Sequence, residues 1–211
     1  VNILIADDHA VVREGVMVLI RESLPQATIF QASDYDTLIA ALKKQAMDLV
    51  LYDINMPGCN SFEVVEEMKE LQPSIRILVF SAYPEEVYGR RYLQAGVNGY
   101  LHKDSDSHEL QRAVAEVLET GKYKSPAMQA QLQQGNRRKE KTGNVLENLS
   151  DREIEVARLL LQGNGLLEIS NVLNIHVATV STYKRRIYEK LNITSLPDLI
   201  AVFRNYSDLA P

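Results

Sequence analysis

Short apolar runs alternate with amphipathic stretches over the first half of the 211-residue chain. The runs are "NILIA" (2–6), "TIFQA" (28–32), "LVLY" (49–52), "RILVF" (76–80) and "GYL" (99–101), and each is followed by a polar residue. Their length and β-branched content predict strands. Between them, 10–24, 34–45, 61–71, 84–96 and 107–121 place apolar residues at helical spacing; in the first, Val11, Val12, Val16, Leu19 and Ile20 fall near one face. Asp34, Ser61 and Ser107 are suited to N-caps, and Gly96 and Gly121 to helix ends. Strands alternating with helices in this way predict an α/β domain built on a parallel sheet.

After Gly121 the strand texture ends. "SPAMQAQLQQ" (125–134) fits one short helix, and the polar, charged, Gly-bearing "GNRRKEKTGN" (135–144) reads as a linker. From Leu149 onward the pattern is helical only. Ser150 with Glu153 three residues later forms a capping box, and Gly163 closes that helix. Helices are predicted over 165–173, 178–191 and 196–206. The expected organisation is a domain over 1–121, a linker with a short helix over 122–148, and an all-α domain over 149–211.

Composition changes this picture in one respect. The chain is 45% hydrophobic and 24% charged, as expected for a protein with an ordinary core, and no apolar run is long enough to span a membrane. The opening "VNILIADDHA" lacks the basic segment and cleavage site of a secretory leader, and the single cysteine, Cys59, permits no internal disulfide; both lead us to expect a cytoplasmic protein. The net charge of −5 is unevenly spread: residues 1–124 hold 12 Lys+Arg against 19 Asp+Glu, 125–148 hold 4 against 2, and 149–211 hold 7 against 7. The acidity belongs to the first domain, so the second is free to have a different kind of partner.

The carboxylates define the candidate chemistry. Asp7 and Asp8 follow the first strand, Asp53 ends the third, Ser81 the fourth, and Lys103 follows the fifth. Carboxyl ends of parallel strands share one edge, where ligands bind. Three acids at one edge repel unless a cation offsets them, and a hard divalent ion such as Mg²⁺ suits oxygen ligands and phosphate. A lone Asp after a strand is more often a turn former or a cap; the combination with Lys103 and Ser81 is what points to metal-assisted phosphoryl chemistry with an aspartate acceptor. His9 is expected to cap or pack at the first helix, and His102 and His108 to lie on the surface.

"ADDH", "LVLYDINMPG", "VFSAY" and "GYLHKDS" resemble the signature blocks of response-regulator receiver domains. The resemblance implies a flavodoxin-like sheet of order 2-1-3-4-5 and phosphorylation of Asp53 by a sensor histidine kinase. It implies that Asp8 and Asp53 bind Mg²⁺ directly, with Asp7 acting partly through water and the Asn55 backbone carbonyl completing the set. Ser81 becomes the switch hydroxyl, Tyr100 the aromatic that rotates inward behind it, and Lys103 the partner of the phosphoryl group. Ser81 replaces the commoner Thr, and Asp104 stands where many receivers carry Pro; neither alters the phosphoacceptor set.

In the last third, "ATVSTYKRRIYEKL" sets Val180, Tyr183, Ile187 and Leu191 on one side and Thr182, Arg185, Arg186 and Glu189 on the other, with Ser181 at the flank. Hydroxyl and guanidinium groups on an outward face suit phosphate and base-edge contacts. "GLLEISNVL" joined by "NIHV" is a helix-turn-helix arrangement. Residues 149–193 resemble the LuxR/NarL output domain, so that the chain is similar to NarL/FixJ-type response regulators. This implies that helix 177–191 enters the major groove of promoter DNA, in a homodimer on paired half-sites. Ser181, Thr182 and Arg185 are then expected to read bases, and Thr179, Lys184 and Lys190 to contact phosphates. His176 stands where relatives place a capping Ser or Thr. Leu199, Ile200, Val202 and Phe203 are equally suited to a dimer seam or to the small domain's own core. An enzyme is not expected, apart from receiver autophosphorylation and autodephosphorylation. A dehalogenase-type phosphatase would carry an acid where Asn55 stands, and no Gly-rich dinucleotide fingerprint follows the first strand.

Overall fold

A computed structural model describes residues 1–56, 63–83, 85–126, 128–129 and 149–206. The chain divides into two compact units, Val1–Arg137 and Arg138–Pro211. The expected N-cap Ser61, Cys59, the 135–144 linker and most of the 125–134 helix lie outside the described residues.

The first unit holds β1 (Asn2–Ala6), α1 (Ala10–Ser23), β2 (Thr28–Ala32), α2 (Tyr35–Lys44), β3 (Leu49–Tyr52), α3 (Glu63–Leu71), β4 (Arg76–Ser81), α4 (Glu85–Gln94), β5 (Gly99–His102) and α5 (Ser107–Thr120). All strand pairs are parallel and the order is β2-β1-β3-β4-β5, the flavodoxin-like order expected. The register places Ile5 beside Leu51, Leu51 beside Leu78 and Phe80 beside Leu101. These side chains share one sheet face with Val16 and Ile20 of α1 and Leu110, Val114 and Val117 of α5. Leu4, Val50, Val79 and Tyr100, one position out of phase, are buried on the other face. Every residue of β3 is buried, as befits a central parallel strand covered on both sides.

Two local readings are refined. Val11 is 85% exposed, because the core-facing stripe of α1 runs through Val16 and Ile20 and passes it by. Asp106, not Ser107, caps α5: its extended backbone lets its carboxylate accept the Glu109 amide at 2.8 Å, which leaves Ser107 as the first helical residue. Asp34 caps α2 as expected, with Thr37 completing a reciprocal box. Gly121 closes α5 at φ +78°, a left-handed conformation that glycine adopts without steric penalty.

The second unit contains α6 (Asp151–Leu161), α7 (Leu166–Leu173), α8 (Val177–Leu191) and α9 (Leu196–Tyr206). Ser150 and Glu153 form the predicted capping box on α6. Asn174, left-handed at φ 50°, makes the tight turn between α7 and α8. Leu199 and Phe203 of α9 are buried within the unit, so at least these two complete its core; Ile200 and Val202 are partly exposed.

Glu153 is buried, yet its carboxylate is not isolated. It accepts the Ser150 amide at 2.6 Å and pairs with Lys190 of α8 at 2.7 Å. Burial works to raise its pKa, but the bonds from Lys190 and Ser150 outweigh burial and hold it below the usual carboxylate range. A depressed carboxylate stabilises the fold above its unfolded value and ceases to do so as pH falls through its folded value. Hydrogen-exchange protection of α6 and α8 is therefore expected to fall as pH drops below about 4.5. Glu153→Gln will flatten that pH dependence.

Candidate functional site

Asp7, Asp53 and Lys103 each sit one step beyond a strand, with their amides still in the sheet's hydrogen-bond ladder. The Asp7 amide donates to the Ala32 carbonyl at 3.0 Å, that of Asp53 to Ala6 at 2.8 Å, and that of Lys103 to Ser81 at 2.9 Å. The backbone is thus as rigid as the sheet at the point where each side chain emerges. Lys103 Nζ lies between two buried carboxylates, 2.6 Å from Asp53 Oδ2 and 2.7 Å from Asp7 Oδ2. Asp53 Oδ1 accepts the Asn55 amide at 3.0 Å, and Asp7 Oδ1 accepts the His9 amide at 2.8 Å.

Burial pushes the Asp53 carboxyl above its ordinary range, against the hydrogen bond and charge of Lys103. Burial also works to lower Lys103, but Asp53 and Asp7 overcome this and raise it. The site is therefore short of positive charge: one ammonium faces two buried acids. Asp8 and His9 bring further ligand atoms, and together Asp7, Asp8, His9 and Asp53 offer one atom each, all within 4.8 Å of one another. Asp7 Oδ2 is buried and, beyond its 2.7 Å charge contact with Lys103, has no hydrogen-bond partner among the described residues. An oxygen-rich donor set with an under-satisfied buried carboxylate fits a hard divalent cation. His9 occupies the N-cap position of α1 but makes no side-chain cap; its Nδ1 lies 2.8 Å from Asp8 Oδ1.

Ser81 is fully buried, and its Oγ accepts the Tyr83 amide at 3.2 Å. Tyr100 is 1% exposed, its ring already inside the protein and its hydroxyl donating to the Tyr83 carbonyl at 2.8 Å. Burial drives the Tyr100 phenol well above its usual pKa, with a hydrogen bond to Ser81 partly opposing. Tyr83 was not singled out from sequence, yet it ties the site together. Besides those two backbone bonds, its hydroxyl donates to Asn55 Oδ1 at 2.9 Å and its ring stacks on Tyr88 at 4.9 Å. Its place two residues after Ser81 was the available signal. His102 is only partly exposed, with Nε2 2.9 Å from the Ala82 carbonyl, whereas His108 is on the surface as expected.

In the second unit, Val180, Ile187 and Leu191 of α8 are buried. Ser181, Arg185 and Arg186 are exposed, and Thr179, Thr182 and Lys184 are half-buried. The Thr182 hydroxyl bonds back to the Ala178 carbonyl at 3.0 Å, and Lys184 Nζ lies 5.5 Å from the Tyr188 ring centroid. Lys190 is engaged with Glu153 but 40% exposed. His176 is the N-cap of α8, extended at φ −66° and ψ 143°, and makes no side-chain cap bond. His176→Ser is expected to stabilise the second unit by about 1 kcal/mol, measured by chemical denaturation, because serine can satisfy a first-turn amide that the imidazole does not.

A parallel sheet with acids and a lysine at its carboxyl edge, followed by a helix-turn-helix unit, defines a phosphoacceptor module joined to a DNA-binding module. The family comparisons agree. Residues 3–115 match the response regulator receiver domain, and residues 147–203 match the bacterial regulatory proteins of the luxR family. The chain belongs to the response regulators, of the NarL/FixJ type, a family of transcription regulators rather than enzymes. It is 30% identical to the response regulator GacA of Pseudomonas aeruginosa over 195 residues, covering 92% of this chain and 91% of that protein. It is 28% identical to the response regulator UvrY of Escherichia coli, covering 92% and 88%. Among solved structures it resembles RcsB from Salmonella enterica serovar Typhimurium bound to promoter rprA in the presence of the phosphomimetic BeF3⁻. That match has a TM-score of 0.64 and 25% identity, and covers 99% of each chain. Among the described residues, no helix is long and apolar enough to cross a membrane.

Proposed function

We propose that this protein is a phosphorylation-controlled transcription regulator of a two-component system, acting in the cytoplasm, in which Asp53 is the phosphoacceptor. A carboxylate oxygen of Asp53 attacks the phosphorus of a phosphohistidine on a sensor kinase. The N–P bond breaks, an acyl O–P bond forms, and the histidine nitrogen leaves with its electron pair. Bound Mg²⁺ would neutralise charge on the transferring group, held by Asp7, Asp8, Asp53 and the Asn55 carbonyl. Lys103 then turns from bridging two carboxylates to pairing with the phosphoryl oxygens. Ser81 donates to one of them, and Tyr100 occupies the space behind Ser81. The same residues carry the autophosphorylation and autodephosphorylation expected of a receiver. The observation that carries this reading is the short ion-pair triad Asp7–Lys103–Asp53 on rigid strand ends, in a chain whose other unit is a LuxR-type module.

The output is read as helix 177–191 in the major groove. Ser181, Thr182 and Arg185 contact base edges; Thr179, Lys184 and Lys190 contact phosphates, Lys190 while also paired to Glu153. RcsB binds promoter DNA and has been seen as two dimers on two parallel DNAs, which supports homodimeric binding on paired half-sites here. The test is quantitative binding of genomic fragments selected by the phosphorylated protein. Affinity is expected to fall steeply with salt, because each lysine or arginine on a phosphate releases counterions. Arg185→Ala is expected to lose about 1–3 kcal/mol of discrimination between selected and scrambled sites. Unchanged preferences would show that the reading face lies elsewhere.

A further inference from the structure

The chain does not leave the first unit where α5 ends. The Tyr123 amide donates to the Asn98 carbonyl at 2.8 Å, its ring is buried beside Gly99, and its hydroxyl bonds to Glu109. Ser125 is buried and donates to Glu85 Oε2 at 2.5 Å, reaching the first turn of α4. The same Oγ accepts the Met128 amide at 3.0 Å, and the Ser125 carbonyl accepts the Gln129 amide at 2.9 Å, so both residues are tied back to that anchor. Met128 is 2% exposed and packs on Gly89 in the middle of α4. A Cβ added to Gly89 would lie 2.7 Å from Met128 Cε and 3.6 Å from Tyr100 Cγ.

That glycine is where the interdomain segment and the switch aromatic meet. A mid-helix glycine weakens a helix unless something needs the room, and here Met128 occupies it. Tyr100 also holds the Tyr83 carbonyl, two residues before α4 begins. Tyr100 therefore bears on α4 both at its entrance and at the point where Met128 sits.

We infer that residues 123–126 together with Met128 and Gln129 form a latch on α4, through Glu85–Ser125 and Met128–Gly89, whose closure reports the position of Tyr100 to the segment leading to the DNA-binding unit. This rests on the proposed function and adds the route by which the acyl phosphate is read. The inward ring and the closed latch coexist in this structure. In this proposal a state that holds Tyr100 inward keeps the latch closed, because the ring and the Met128 methyl both lie against Gly89.

The test is hydrogen exchange on the full-length protein with and without acetyl phosphate and Mg²⁺, with phosphoryl uptake followed by intact mass. In the wild type, phosphorylation is expected to slow exchange at Met128 and Gln129 roughly tenfold, as a local opening becomes rarer. Ser125→Ala and Met128→Ala are expected to take up one phosphoryl group normally but to exchange fast in both states. A structural role alone would change protection equally with and without phosphate, so the phosphate-dependent difference is the diagnostic quantity. Wild-type protein that gains the phosphoryl group with no change at these amides overturns the latch and leaves the proposed function intact. Variants that both retain the full wild-type slowing also overturn it. A wild type that takes up no phosphoryl group overturns the proposed function and the latch with it.

Discussion

Asp53→Asn will take up no phosphoryl group under conditions in which the wild type gains one, as read by intact mass after incubation with a small phosphodonor and Mg²⁺. Asparagine keeps the shape of the side chain, and its single Oδ1 can still accept from Lys103 or from the Asn55 amide, which Asp53 now accepts on separate oxygens. It offers no carboxylate oxygen to attack phosphorus, so the expected loss is complete rather than partial. The same substitution is expected to raise thermal stability when divalent cations are chelated. The Asp53 pKa is raised by burial, so its ionised form opposes folding once pH exceeds its unfolded value near 3.8. A neutral amide removes that opposition at neutral pH. A phosphorylated Asp53→Asn protein would place the acceptor on another residue.

Lys103→Met will destabilise the first unit by about 3 kcal/mol in chelator, measured by denaturant unfolding, because it strands two buried carboxylates without their cation. Both acids are almost fully buried and the ammonium is largely so, which makes solvent screening weak here. Part of the loss should return on adding Mg²⁺, since any ion that binds only the folded state stabilises by mass action, and the recovery should exceed the effect of Mg²⁺ on the wild type. Equal responses of the two proteins to Mg²⁺ would argue that the ion does not sit among Asp7, Asp8 and Asp53. Signalling by this variant should be lost even where phosphoryl uptake persists, because Lys103 is the cation placed to pair with the group.

Much of this is legible in the sequence alone. Strand and helix textures differ in period, and β1, β2 and β3 match the predicted runs residue for residue. β4 and β5 each extend one residue further, to Ser81 and His102, because the neighbouring strand's ladder continues there. Such ends are set by pairing partners, which a single strand's composition does not contain. Val11 illustrates a related limit: it satisfies the helical period, but how wide a stripe α1 buries depends on the surface it meets.

The local sequence determined the strand–helix alternation, the capping box at Ser150 and Glu153, and which residue types are available for phosphoryl and DNA chemistry. It could do so because those features depend on neighbours within a few positions. Only the tertiary structure decided that Lys103 bridges Asp7 and Asp53, that Tyr83 joins Asn55, Ser81 and Tyr100, that Lys190 is tied to a buried Glu153, and that Ser125 and Met128 close on α4. Each of these contacts spans residues far apart along the chain or depends on side-chain orientation. Their strength comes from the burial that the packed fold imposes, and burial is a property of the whole sheet and its helices.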